Sequence, residues 1–377
     1  MITATRLEPA TAAVTVLSNR REVTDWAQRY FGPWWNAAPV EPTAVSAEGV
    51  VIADVDPGEH DTITRLVFDG RLNVSVDFAK HRLRAARDGD DVIATSASEG
   101  VAYRSSPANG RFVMATMEDV QPLALAAARV AREAIRGQLL RAGWAVLHAS
   151  AVVRPRDGAT ILTFGDKGAG KTTTALLLAS HGWELLANDR VLVRPTEQGV
   201  EVVPWPSAAA LGLGLLHSLG WDVIAREHLR AGGSFHPTQH EAVTTSLMRG
   251  SSEPLWESAR RERKVQVFPD QFPKLFGVPL ATSGRAAAVL FPEMDPSGVP
   301  DVLDEPRSLG EADFMSGSTE DRYPDLFDQW HGIEGGGRES VRHVVGTRLA
   351  ALPHRAVRLT HDIPASTAVL AKVTDSI

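Results

Sequence analysis

Apolar residues along the chain occur in short runs, and the spacing within each run predicts an alternation of strands and helices. Continuous apolar runs over 159–164 and 286–291 are typical of buried strands. Alternating polar and apolar positions over 71–78 and 110–116 favour half-exposed strands, and helical spacing over 122–141 predicts a long helix. This mixture of elements indicates an α/β fold.

The most specific motif follows the first of these buried strands. The segment Gly165-Asp166-Lys167-Gly168-Ala169-Gly170-Lys171-Thr172 fits the phosphate-loop pattern G-x-x-x-x-G-K-[ST]. A helix-like run follows it and ends at Gly182. Glycines let successive backbone N–H groups surround phosphates, and a helix start adds partial positive charge. A chance glycine turn is the alternative, but the flanking strand and helix argue against it. We therefore predict a nucleoside-triphosphate site formed by Gly165, Asp166, Lys167, Gly168, Ala169, Gly170, Lys171, Thr172 and Thr173.

Within this pattern, the lysine, the threonine and a later aspartate have distinct expected roles. Lys171 would reach the β- and γ-phosphates, and the Thr172 hydroxyl would bind Mg²⁺. Asp189 ends the next predicted strand, where phosphate-loop enzymes place a carboxylate linked to Mg²⁺; a turn or cap residue is the alternative. The sequence thus predicts ATP and Mg²⁺ as cofactors, without distinguishing ATP from GTP, and Thr172 and Asp189 as metal ligands.

Two short segments, one before the loop and one after it, carry polar residues next to predicted strands. The strand Leu147-His148-Ala149-Ser150 leads through a hairpin into the loop, and Leu186-Ala187-Asn188-Asp189 follows the loop helix. Together with the loop, they resemble the HPr kinase/phosphorylase family, clearly over residues 140–195 and more loosely to about residue 370. The resemblance implies a phosphate-loop kinase core of the HPr-kinase/PEP-carboxykinase-like type, in which His148 and Asp189 flank the metal and the transferred group. Without it, His148 would be interpreted as a strand histidine satisfied by its neighbours.

Asn188 departs from the family pattern, which has an Asp-Asp pair at this point. In the family, the first acid acts as a base toward the acceptor hydroxyl and as an acid in the reverse phosphorolysis. An amide can neither hold nor release that proton, so the phosphorylase half-reaction is not expected here. Kinase activity is less affected because phosphoryl transfer relies mainly on positioning and charge neutralisation. The catalytic candidates are Asp189, His148, Lys171 and Asn188, with Asp189 or His148 to take the proton.

Composition and length narrow the classes of protein. The 377 residues, 44% of them hydrophobic, predict two domains. The smaller is an N-terminal α/β domain over 1–118 for substrate recognition or assembly, and the larger is a phosphate-loop domain over 119–377, which the resemblance implies to be HPr-kinase-like. A net charge of −7 without a long basic block argues against nucleic-acid binding. The sequence has no apolar run of about 18 residues, no signal-like N-terminus and no cysteine, so a membrane segment, export and disulfides are not expected. A cytoplasmic location is expected, and the resemblance suggests a homo-oligomer.

The expected function is therefore that of a phosphotransferase, an ATP- and Mg²⁺-dependent kinase with an alcohol group as acceptor. The acceptor could be a serine of a peptide or small protein, such as a peptide natural-product precursor, or a small molecule. The alternative is a nucleotide-binding regulatory or assembly protein without phosphotransfer, which Asn188 favours. A transport or motor ATPase is less favoured because no L-S-G-G-Q-like segment occurs.

Two groups of basic residues are candidates for contact with an acidic ligand. Arg129, Arg132 and Arg136 form one stripe of the predicted long helix, here called the arginine stripe, for which a solvated face is expected. The run from Arg260 to Lys264 could supply a cation to the γ-phosphate, and a solvated face is at least as compatible with it.

Two further stretches carry expectations about exposure. Residues 293–340 are rich in Asp, Glu, Gly and Pro, which predicts a surface loop or lid, made flexible by three consecutive glycines from Gly335. The Trp34-Trp35 pair, Trp205 and Trp330 could form a ligand platform or pocket, but core packing is the default expectation for large aromatic side chains.

Overall fold

The computed structural model describes residues 1–43, 49–70, 73–258, 261–304, 306–315, 323–375 and 377. The chain forms two compact units. The first unit comprises Met1–Val146 and Phe314–Arg342, and the second comprises Leu147–Asp313 and His343–Ile377. Each unit contains both helices and strands, so the expected α/β class is confirmed at that level.

The first unit is built on a sheet with helices α1 (Arg21–Trp35), α2 (Pro57–Asp69) and α3 (Val120–Arg141) and a short 3-10 helix (Pro107–Asn109). Its strands are β1 (Thr3–Leu7), β2 (Val14–Ser18), β3 (Ala38–Val40), β4 (Val50–Val55), β5 (Val74–Phe78), β6 (His81–Asp88), β7 (Asp91–Ser96), β8 (Val101–Ser106) and β9 (Arg111–Thr116). They lie in the order β3-β1-β2-β4-β9-β8-β7-β6-β5. The strands β2, β4 and β9 are parallel, and the other neighbours are antiparallel. Residues 71 and 72 of the strand expected over 71–78 lie outside the described residues.

The arginine stripe of α3 is largely buried, so the expected solvated face was wrong. Arg132 and Arg136 are 5% and 0% exposed. The Arg132 guanidinium lies 4.7 Å from the centroid of the Tyr323 ring, and that of Arg136 lies 4.1 Å from the centroid of the Trp330 ring. Helical periodicity could not show this burial because the covering rings come from residues almost 200 positions later in the chain.

Those rings belong to the stretch predicted as a flexible surface loop or lid, and for residues 323–340 that prediction was wrong as well. Phe327 is 3% exposed, and its ring centroid lies 5.5 Å from that of Phe78 and 5.7 Å from that of Phe112. Composition misled because the apolar anchors of this stretch are too widely spaced to form a periodic pattern. Residues 305 and 316–322 of the predicted loop lie outside the described residues.

We expect Phe327→Ala to destabilise the first unit by about 3–5 kcal/mol, because it removes a buried ring from this aromatic cluster. Urea unfolding and amide hydrogen exchange in β5 to β9, followed by mass spectrometry, would measure the loss. Phe68→Ala is the matched control, since Phe68 is 54% exposed, and its effect should stay within about 1 kcal/mol. Equal effects of the two substitutions would contradict the role of Phe327 in the core.

The second unit carries the glycine loop. Its strands are β11 (Ser150–Val153), β12 (Ala159–Thr163), β13 (Glu184–Ala187), β14 (Val191–Thr196), β15 (Gly199–Pro204), β16 (Ala209–Leu211), β17 (Leu255–Ser258), β18 (Arg261–Arg263), β19 (Val265–Val267), β20 (Gly284–Met294), β21 (Asp301–Leu303) and β22 (His354–Leu359). Its helices are α4 (Lys171–Ala179), α5 (Leu213–Ser218), α6 (Trp221–Arg230), α7 (Glu241–Met248), α8 (Gln271–Phe276) and α10 (Ile363–Thr374), with a 3-10 helix (Glu311–Asp313). The chain passes between the units at three points: within the strand β10 (Ala145–Leu147), directly after Asp313, and within the helix α9 (Glu339–Ala350).

The main sheet of the second unit places β12 near its centre, in the order β14-β15-β20-β12-β11-β13, with β22 also paired to β20. The strand β12 is parallel to β20 and antiparallel to β11, and all five of its residues are buried. Ile161 of β12 and Leu176 of α4 belong to one apolar core and are each 0% exposed. This core fixes the strand before the glycine loop and the helix after it, so both predicted elements are confirmed.

The compact units divide at 146/147, whereas the sequence places a domain boundary at 118/119. The reason lies in α3, which packs against α1 and β4 of the first unit and keeps the chain there until Val146. The functional roles expected for domains over 1–118 and 119–377 stay predictions. Among the residues that the structure describes, no helix combines the length and apolar character that a membrane span requires.

Candidate functional site

The glycine loop connects β12 to α4 in the way that the motif predicts. Gly170 is the N-cap of α4 with a φ of 105°, and Gly168 has a φ of 92°. Side chains with a Cβ rarely adopt these left-handed conformations, so glycine is required at both positions. Before the loop, the Phe164 N–H donates to the Leu290 carbonyl at 2.9 Å, which ties the end of β12 to β20.

Lys171 folds back over the loop that precedes it. Its side chain is buried, and Nζ donates to the carbonyl oxygens of Gly165 at 2.5 Å and Asp166 at 3.4 Å. The ammonium group therefore lies against the backbone that would surround the phosphates. Ser150, to which the sequence analysis gave no role of its own, anchors the same residue: its buried Oγ donates to the Lys171 carbonyl at 2.8 Å.

The Thr172 hydroxyl points toward the end of β13. Its Oγ1 donates to the Asn188 carbonyl at 3.4 Å, so the predicted metal-binding hydroxyl lies beside the residue that precedes Asp189. The Asn188 side chain is buried, and its Oδ1 accepts from the Ser207 Oγ at 3.5 Å. Ser207 was not singled out from the sequence because it lies in a connection without a motif.

His148 and Asp189 are in contact, although they are separated by 41 positions in the chain: His148 Nε2 lies 3.2 Å from Asp189 Oδ1. Arg190 Nη1 lies 3.6 Å from the other carboxylate oxygen. Burial by itself raises the pKa of Asp189, but the hydrogen bond from His148 and the positive charges of Arg190 and Lys171 outweigh it and lower the pKa to about 2. Asp189 is therefore ionised at neutral pH, which is the form that binds a divalent cation.

Arg307 is a cation near the loop that the sequence analysis missed. It forms a bidentate ion pair with Asp313, with N···O distances of 2.5 and 2.9 Å, and its guanidinium lies 4.7 Å from the centroid of the Phe291 ring. The hydrogen bonds with Asp313 raise the pKa of Arg307, and the charge of Asp166 in the loop raises it further. The Asp313 carbonyl also accepts from the His148 N–H at 2.8 Å. The segment that carries Arg307 therefore also contacts the backbone of His148, which lies between β10 and β11 and not inside the predicted strand.

The other candidates from the sequence lie in ordinary structural environments. Arg261 Nε lies 2.9 Å from Glu257 Oε2, and Lys264 Nζ lies 3.6 Å from Glu262 Oε2, so carboxylates within the hairpin offset the charge of the basic run. Arg260 lies outside the described residues. The four tryptophan side chains that the sequence singled out are buried, as core packing predicts; these are Trp34, Trp35, Trp205 and Trp330.

The oxygen donors beside the loop fit Mg²⁺ in chemical type. Among the described residues, no group of three or more His, Cys, Asp or Glu side chains is placed to hold a metal ion. At nucleotide sites, Mg²⁺ is usually held by one or two protein carboxylates while phosphates and water supply the other ligands. An ionised Asp189 and the Thr172 hydroxyl correspond to that type of site, and both residues remain predicted ligands.

Comparisons with known proteins add a distant likeness. No protein-family model matches the chain, and no curated protein matches it. Among solved structures, the chain is similar to the Hpr(Ser) kinase/phosphatase from Coxiella burnetii, with 10% sequence identity and a TM-score of 0.25 over 61% of this chain and 95% of that chain. At this level of similarity, the likeness supports no inference about activity or about individual site residues.

Proposed function

We propose that the protein is an ATP- and Mg²⁺-dependent kinase that phosphorylates a hydroxyl group. The observation that carries the proposal is the meeting of three features at one point of the second unit. The glycine loop with Lys171 begins α4, the Thr172 hydroxyl contacts the Asn188 carbonyl, and the adjacent Asp189 is ionised and in contact with His148. A glycine loop alone would serve nucleotide binding, whereas this carboxylate and imidazole supply groups for phosphoryl transfer.

In the proposed mechanism, the residues of the chain act mainly by positioning and by charge. The loop N–H groups and Lys171 would bind the triphosphate, and Thr172 and Asp189 would hold Mg²⁺. Bound Mg²⁺ would neutralise charge that develops on the phosphates. The acceptor oxygen forms a bond to the γ-phosphorus, the bond from that phosphorus to the β–γ bridging oxygen breaks, and ADP leaves with the electron pair.

The hydroxyl proton needs an acceptor, and the site offers few. The Asn188 amide cannot take it. Asp189 is a weak base because its pKa is about 2. We therefore assign the proton to His148, which would also hold the Asp189 carboxylate in place through the 3.2 Å contact. Phosphorolysis, which would require an acid at position 188, is not part of the proposal.

The proposed acceptor is a serine of a peptide or small protein, such as a peptide natural-product precursor, or a hydroxyl group of a small molecule. We further propose that the N-terminal part of the chain recognises this acceptor or mediates assembly into a homo-oligomer. The proposed ATP site supports a cytoplasmic location, and neither nucleic acid nor a membrane is a proposed partner.

A second candidate function is a nucleotide-binding regulatory or assembly protein that transfers no phosphate. The observation that favours it is Asn188, a buried amide that accepts from Ser207 at 3.5 Å where a kinase of the resembled family has an acid. Such a protein would bind ATP with Mg²⁺, and this binding would change its affinity for a partner. It would not phosphorylate an acceptor.

Radiolabelled transfer distinguishes these functions. The purified protein is mixed with γ-labelled ATP, Mg²⁺ and a library of serine-containing peptides, and parallel samples contain a chelator in place of Mg²⁺. Label on a peptide hydroxyl, located by mass spectrometry and lost with the chelator, is the result expected for the kinase. ATP binding without transfer to any acceptor would favour the regulatory function, and a protein that binds no nucleotide would contradict both.

A further inference from the structure

A polar cleft of about 290 Å³ lies in the first unit, bordered by α3, by the 3-10 helix after β8 and by residues that follow Phe327. Its polar lining side chains are Asn109, Gln138, Arg141, Gln329 and His331, and none of its lining residues is acidic. Ligand pockets commonly measure about 300–1,000 Å³, so this cleft suits a small ligand. The absence of carboxylates from the lining is notable in a chain whose net charge is −7.

Arg141 gives the cleft its positive charge. Its Nη1 donates to the Gln329 carbonyl, which is a dipole and cannot neutralise the guanidinium. Among the described residues, no carboxylate lies within ion-pair distance of Arg141. Burial lowers the pKa of Arg141, and the charge of Asp325 offsets this only in part. Asp325 itself is engaged by backbone, because it accepts from the N–H groups of Gln329 at 2.6 Å and Trp330 at 2.9 Å.

The side-chain amides of Gln138 and Asn109 differ in whether they can bind a ligand in the cleft. Gln138 is bonded at both ends to Ala13, with its Oε1 accepting and its Nε2 donating at 2.9 Å, so it forms a wall of the cleft. Asn109 Oδ1 accepts from the Arg111 N–H at 3.1 Å, and its NH₂ group is oriented away from that bond. Asn109 can therefore add a neutral donor to the charge of Arg141.

We infer that this cleft binds a small oxyanion, a carboxylate or a phosphate, with Arg141 as its charged contact and Asn109 as its neutral donor. Planar guanidinium groups pair well with both anions because two N–H donors can meet two oxygens. The inference does not depend on the proposed kinase function, since no residue of the glycine loop takes part in it.

Calorimetric titration of the full chain with inorganic phosphate and with acetate tests this inference. The titrations use the Lys171→Ala background, which removes a cation from the other phosphate site. We expect saturable binding of at least one probe, weakened at least about tenfold by Arg141→Gln and unchanged by Arg21→Gln, an arginine whose side chain is 79% exposed. Phosphate alone would indicate a phosphoester ligand, acetate alone a carboxylate, and both together any small oxyanion.

A second variant guards against misfolding, because Arg141 also contacts the Gln329 carbonyl. Asn109→Asp keeps an oxygen for the Arg111 N–H and leaves Arg141 unchanged, but it places a negative charge in the cleft. It should abolish binding of both probes while the melting temperature stays within a few degrees. Failure of both probes to saturate, or binding that survives both Arg141→Gln and Asn109→Asp, would overturn the inference.

Discussion

Lys171→Ala should weaken the binding of ATP with Mg²⁺ and lower phosphoryl transfer by about 10²–10³-fold, while the fold of the second unit is kept. The loss is expected because the ammonium group is the cation that the motif places against the β- and γ-phosphates. The fold should survive because the buried Ser150 donates to the backbone carbonyl of residue 171, which alanine retains. The substitution also keeps Gly168 and Gly170, whose left-handed conformations shape the loop.

Calorimetry with ATP and Mg²⁺, transfer of labelled phosphate and a thermal melt together measure this effect. The matched control is Lys274→Ala, because the Lys274 side chain is 70% exposed and pairs with Asp270, the N-cap residue of its own helix. The control should bind ATP as the unchanged protein does. Normal ATP binding by Lys171→Ala, with a normal melt, would show that the glycine loop is not the nucleotide site.

Local features of the sequence predicted the strand–loop–helix correctly because its determinants are neighbours in the chain. Glycine is required at positions 168 and 170 by their left-handed backbone, and the apolar residues of β12 and α4 meet in one core. The glycine-loop motif and the apolar runs on either side of it are therefore enough to predict these elements. The roles of the loop residues stay predictions, since geometry alone does not show a bound phosphate.

Contacts between distant parts of the chain could not be predicted in the same way. The family resemblance predicted that His148 and Asp189 flank one site, but it did not predict their direct contact, because nothing in either segment specifies its partner. Arg307 and Ser207 were missed since they lie in connections without periodicity, although both contact residues at or beside the site. Such positions are determined by tertiary packing.

In the first unit, the packing of the three consecutive glycines from Gly335 likewise could not be predicted from the sequence. Three consecutive glycines predicted flexibility, yet the Gly336 carbonyl accepts from the Val146 N–H at 3.0 Å and the Gly335 carbonyl accepts from Arg136 Nε at 3.0 Å. Glycine here permits close approach: a Cβ on Gly336 would lie 2.2 Å from the Met315 carbonyl oxygen. Glycine content indicates how flexible an isolated segment would be, whereas tertiary packing determines whether the segment is flexible in the folded protein.

Asp189→Asn should have the other large effect, a loss of Mg²⁺-dependent phosphoryl transfer of about 10²–10³-fold, with binding of ATP in the absence of Mg²⁺ little changed. Asparagine keeps the size of the side chain and an oxygen that can face His148, but it removes the charge that would attract the metal. Asp157→Asn is a closely matched control. Asp157 is 42% exposed against 40% for Asp189, and ion pairing likewise lowers its pKa to about 2.

The pH dependence of stability and of phosphoryl transfer distinguishes the titration of Asp189 from that of other groups. Its folded-state pKa of about 2 lies below the unfolded value of about 3.9, so stability from its ionised form is complete above pH ~4 and is lost as the pH falls toward 2. Between pH 5 and 8, the carboxylate should stay ionised, and a fall in transfer over that range must come from another group. If phosphoryl transfer by Asp189→Asn kept the rate and the Mg²⁺ dependence of the unchanged protein, as is expected for Asp157→Asn, Asp189 would have no part in metal binding. The kinase proposal would then lose the residue that distinguishes it from simple nucleotide binding.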